Sequence, residues 1–117
     1  MGRNWHHGNA AEDGDATRGW LLGHFIQPED DIRSSRDVEV KWANHPAGEK
    51  RPDWTTGEQR TTMLLLVTGR FRLHLTEGTV DLTTQGDYVV WGPGIDHAWE
   101  ALADSTVITV RWPSMPE

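Results

Sequence analysis

Six histidines, seven tryptophans and no cysteine set the chemistry open to this chain of 117 residues. Without a thiol there are no disulfides, thiolate metal sites or cysteine nucleophiles, so any reaction falls to imidazole, carboxylate or guanidinium groups. His97 is the candidate catalytic residue, because an imidazole titrates near neutrality and acts as acid or base. It follows Gly92-Pro93-Gly94-Ile95-Asp96, a tight-turn sequence that opens into a strand. Strand alternation puts Trp99 on the same face as His97 and turns Glu100 the other way. Tryptophan outnumbers phenylalanine and tyrosine together, 7 against 3. Each indole offers a broad apolar face and one N–H donor, so Trp42, Trp54, Trp91 and Trp99 are read as walls of a cavity for an aromatic, sugar or otherwise planar ligand. Simple filling of a small barrel is the competing explanation. Trp20 and Trp112, near strand ends, are assigned to packing. Arg51 and Arg60 are candidates to hold a ligand carboxylate at the cavity mouth. His74 alternates with the exposed face, and His6 and His7 lie in the N-terminal segment. Nucleophile elbows, Walker loops, dinucleotide glycine fingerprints and paired-carboxylate patterns are missing.

The elements that must position these groups are strands. The run 20–26 is apolar and stopped by Gln27-Pro28. From position 38 apolar and polar residues alternate with a period of two. Further β-rich runs at 60–67, 71–75, 79–83, 88–91, 97–102 and 106–112 are divided by short Gly-containing or acidic turns. The stretch 45–57, with two prolines and two glycines, reads as a long loop. No apolar pattern at the helical period appears, which predicts an all-β antiparallel sandwich or closed barrel. Residues 1–19 are glycine-rich and poor in large apolar side chains, and are expected to be a mobile arm on a single domain spanning 20–117. Residues 63–67 are apolar on both faces, which predicts cover from a second subunit or from the N-terminal strand.

The formal charge of −7 opposes binding to nucleic acid or anionic membranes. Neither a secretory leader nor an apolar span of about 20 residues is present, so the cytoplasm is the expected compartment.

The stretch from Gly86 to His97 resembles the second conserved motif of the cupin superfamily, small jelly-roll barrels. Gly86, Gly94 and His97 fall at the positions that motif fixes. Gly92 stands where proline is usual, with Pro93 one place later, and Ala101 replaces an asparagine. The first cupin motif, anchored on Gly48 and Gly69, is degenerate: Trp54 and Thr56 occupy the two histidine positions and Thr62 the glutamate position. The resemblance implies a cupin-type double-stranded β-helix and a homodimer. It leaves only His97 of the usual metal ligands, so no metal is expected in the usual cupin arrangement. The fallback is a divalent metal on His24, His45 and His97. The resemblance also implies that Trp54 and Thr62 face the cavity.

Three functional readings follow. The first is a barrel that binds a small organic molecule in a Trp-lined pocket and catalyses isomerisation, cyclisation or elimination, with His97 as acid or base. The second is a non-catalytic binding or sensor protein. The third is a metal-dependent dioxygenase with a non-standard histidine site.

Overall fold

The computed structural model describes residues 4–115; positions 1–3 of the N-terminal segment and 116–117 lie outside the described residues. Eight strands carry the fold: β1 (Trp20–Leu22), β2 (Glu39–His45), β3 (Thr61–Thr68), β4 (Phe71–Leu75), β5 (Gly78–Leu82), β6 (Tyr88–Trp91), β7 (His97–Ala101) and β8 (Ser105–Trp112). They form two antiparallel sheets, ordered β1-β2-β8-β3-β6 and β5-β4-β7. Each strand from β2 onward falls on a run that alternation and turn residues had marked. Gly86 and Gly94 have φ of +93° and +86°, the left-handed backbone that glycine adopts without a Cβ penalty, as their turn positions require.

Among the described residues helix is confined to one short piece, α1 (Ala10–Asp13), followed by a 3-10 turn at Asp15–Thr17. Asn9 accounts for it. Its side-chain oxygen accepts the N–H groups of Ala11 and Glu12 at 3.0 and 3.2 Å, capping a turn that two alanines favour. The Gly19 carbonyl then accepts the Trp42 N–H at 2.9 Å, joining this segment to β2.

Register decides which face each side chain takes. In the larger sheet, Val40, Val110, Met63 and Val90 form one cross-strand row, and Trp42, Ile108, Leu65 and Tyr88 form the next, all on the outer face. The rows between them point inward: Glu39, Arg111, Thr62 and Trp91, then Lys41, Thr109, Leu64 and Val89. The core lies between the sheets, where Leu64, Leu66, Phe71, Leu73, Leu82, Ala101 and Val107 are buried. β1 pairs with β2 at the sheet edge, so the N-terminal strand does not lie over the outer face of β3.

The segment expected as a loop after β2 is tied to β7. Gly48 N–H donates to Ala101, Arg51 N–H to Trp99, and Thr55 N–H to His97, at 2.8, 2.9 and 2.7 Å. Isolated antiparallel bridges join Lys50 to Glu100 and Thr55 to His97. Residues 48–55 thus run beside β7 as an irregular added edge.

Candidate functional site

Between the sheets lies a cavity of about 300 Å³. His97 enters it from the first position of β7. One ring nitrogen, Nδ1, is buried and has no hydrogen-bond partner among the described residues. The ring packs against Trp91, centroids 4.8 Å apart. Burial is the main cause holding its pKa below the usual value of 6.5; Glu58 opposes this, and the cations Arg51 and Arg111 add to it. The surroundings thus favour the neutral imidazole over the imidazolium. Of the two flanking acids, Asp96 also opposes the lowering, whereas Glu100 is turned away from the ring. Asp96 accepts the Gly57 N–H at 3.2 Å, and Glu100 faces outward to His74 at 3.2 Å.

Trp91, Trp99, Thr62 and His45 line the same cavity, as placed by the inward rows of β3 and β6 and the ends of β2 and β7. His45 and Trp99 lie 4.4 Å apart, centroid to centroid, and both pack on Phe71. His45 Nδ1 is bonded to Glu49.

Three of the residues assigned to this cavity from sequence do not line it. Trp42 is turned outward, because its row is the apolar outer one. Trp54 is 48% exposed, with its ring 6.4 Å from that of His74. The bridge between Thr55 and His97 puts Thr55 inside the cavity, and the residue before it must face the other way. Arg60 is 5% exposed and sits in an ion-pair network rather than at the mouth. Its Nη1 donates to Glu39 at 2.8 Å and its Nε to Glu58 at 2.7 Å.

That network is centred on Glu39, which is fully buried. Its carboxylate also accepts from Arg111 and, at 3.0 Å, from the Ser114 hydroxyl. His24 belongs to this cluster, its Nδ1 at 2.8 Å from Ser114 Oγ, and not to the cavity. The fallback trio of His24, His45 and His97 is thus not brought together. No three of the His, Asp or Glu residues among those described gather in a way that would hold a metal ion. The donors present do not fit the metal centre that three histidines and a glutamate build in typical cupins, and no step is derived through one.

Several cavity residues had no assignment from sequence. Trp20, expected only to pack, closes one end, with the Arg111 guanidinium 4.4 Å and the Lys41 ammonium 5.5 Å from its ring. Lys41, Thr55, Glu58, Thr109 and Arg111 complete the polar lining with Arg51. Glu39 and Lys41 were legible as the polar half of an alternating strand, but alternation does not say which half faces in.

No family model matches the chain, and no curated protein does. Solved structures do match. A cupin protein from Bacteroides fragilis aligns over 98% of this chain and 91% of its own, with TM-score 0.71 and 19% identity. KdgF from Halomonas sp. aligns over 69% of this chain and 74% of its own, at 0.62 and 23%. A salicylate 1,2-dioxygenase from Pseudoaminobacter salicylatoxidans aligns over 65% of this chain but 21% of its own, at 0.57 and 16%. Two antiparallel sheets enclosing a cavity, the Gly86 to His97 turn and these alignments together show that the chain has the cupin-type jelly-roll fold.

Proposed function

We propose that the protein takes up a small planar organic molecule in this cavity and transforms it by proton transfer, with His97 as acid or base. The observation that carries the reading is the half-buried His97 with its unpartnered Nδ1 inside a cavity lined by Trp91 and Trp99. A site that disfavours the charged imidazole keeps it available as a base. Isomerisation, cyclisation or elimination needs no more than such a group and a bound substrate. In this reading the barrel, residues 20–117, is the functional unit, residues 1–19 are an appended segment, and the protein works in the cytoplasm as a homodimer joined through the apolar outer face of the larger sheet.

The second reading is a binding or sensor protein, favoured by the engagement of Glu58, the carboxylate that lines the cavity, with Arg60. One experiment separates the two. A panel of small keto and unsaturated compounds is incubated with the protein in D2O, and loss of C–H signals is followed by NMR. Catalysed exchange that His97→Gln lacks, with the variant's thermal unfolding unchanged, supports the enzyme. Ligand-dependent indole fluorescence without any exchange supports the sensor.

A further inference from the structure

Lys41, Arg51 and Arg111 line the cavity against a single acid, Glu58. Arg111 is neutralised by Glu39 and lies 3.8 Å from Glu58. Lys41 and Arg51 are not neutralised. The Lys41 ammonium is half-buried and, among the described residues, has neither hydrogen-bond nor ion-pair partner; it lies over the face of Trp20. Burial is the main cause pushing its pKa down from the usual lysine value; Arg111, Arg18 and Arg51 add to it, and Glu49 opposes it. A half-buried cation in that setting is costly unless a counter-charge arrives. Among the described residues the counter-charge is limited to Glu49, which makes no ion pair with Lys41, although the protein as a whole carries −7.

Arg51 stands at the mouth, its backbone fixed by the bond from its N–H to Trp99 at 2.9 Å. Its guanidinium also has no ion pair among the described residues. The same cavity is lined by Trp20, Trp91 and Trp99. These surfaces suit a planar, conjugated body, and a guanidinium fork suits the planar, two-oxygen geometry of a carboxylate.

We infer that the ligand is a planar organic carboxylate whose charge is held by Lys41 and Arg51 while its apolar body lies on the indoles. The inference rests on the reading of this cavity as the ligand site and adds the class of molecule that enters it.

The test uses the full chain with benzoate, its neutral isostere benzamide and inorganic phosphate as probes, followed by indole fluorescence. Benzoate should bind saturably and benzamide at least roughly tenfold more weakly, a difference of the size one charge-assisted contact supplies. Lys41→Met and Arg51→Met should each weaken benzoate by about the same factor and leave benzamide unaltered, whereas Lys41→Arg should retain benzoate. Methionine keeps an apolar stem against Trp20, and thermal unfolding of each variant checks that the barrel is intact. Equal affinity for benzoate and benzamide, unchanged in the variants, would overturn the inference while leaving the cavity reading in place. Phosphate displacing benzoate at lower concentration than benzoate itself binds would overturn the assignment to a carboxylate. No saturable response to any probe would overturn the cavity reading and this inference with it.

Discussion

The surroundings of a histidine set how much of it is available as a base and how strong a base it is, and those of His97 disfavour its charged form. The environment is asymmetric: burial and two guanidinium groups oppose protonation, and Glu58 and Asp96 favour it. The sign of the pH effect follows. Above 6.5 the ring is neutral in both folded and unfolded chains and costs nothing. As pH falls through 6.5 the unfolded chain takes up its proton first, so folding stability declines, and the decline continues until the lower folded pKa is passed. NMR titration of the folded protein should therefore place the His97 midpoint below 6.5, and denaturant unfolding should show a stability loss on acidification that His97→Gln lacks. A midpoint at or above 6.5 would mean that the Glu58 charge outweighs burial.

At the scale of elements, β2 does two things with one alternating sequence. Its outward residues, Val40 and Trp42, extend the apolar rows of the larger sheet, and its inward residues, Glu39 and Lys41, serve the ion network and the cavity. Glu39 binds the strands to one another. It accepts from Arg60 just before β3, from Arg111 on β8 and from Ser114 in the tail, so a single carboxylate ties β2 to three other segments. Removing one partner from such a cluster leaves buried charges uncompensated. Glu39→Ala should cost about 3–5 kcal/mol in chemical denaturation, the range seen when a buried ion pair loses one member. Glu39→Gln, which still accepts hydrogen bonds, should cost less. A loss below about 1 kcal/mol for Glu39→Ala would show that Glu58 alone satisfies both arginines.

For the molecule as a whole, the outer face of the larger sheet is the unsolved surface of a lone chain. Two rows of four apolar side chains cross it, and Tyr88 and Val90 stand 62% and 47% exposed. A contiguous patch of that kind marks an association surface, and a second copy presenting the same rows is the self-complementary solution. Light scattering at micromolar concentration should give a dimeric mass. Leu65→Lys, which places a charge in the middle of the second row, should give a monomer that still unfolds cooperatively. A monomeric mass for the unaltered chain would remove the dimer from the account.

How much of this was legible beforehand differs between backbone and site. Alternation, β-branched runs and the Gly86, Gly94 and His97 turn determined the strands, their antiparallel arrangement and the inward aim of His97 and Trp99, because strand period and turn chemistry are local properties. The assignments that moved, Trp42, Trp54 and Arg60, along with the unforeseen Trp20 and Lys41, all depend on register. A period of two identifies two faces but does not say which one the opposite sheet will cover, and a strand shifted by one residue exchanges them. In β2 the apolar half faces out and the charged half faces in, against the usual expectation. The reason is tertiary: Arg60, Arg111 and Ser114 arrive from other segments to satisfy Glu39, and only their convergence makes an inward carboxylate tolerable. Trp54 faces out because the bridge from Thr55 to His97 fixes the phase of an otherwise irregular loop. That pairing joins positions forty-two apart, a distance over which no local pattern in the chain carries information.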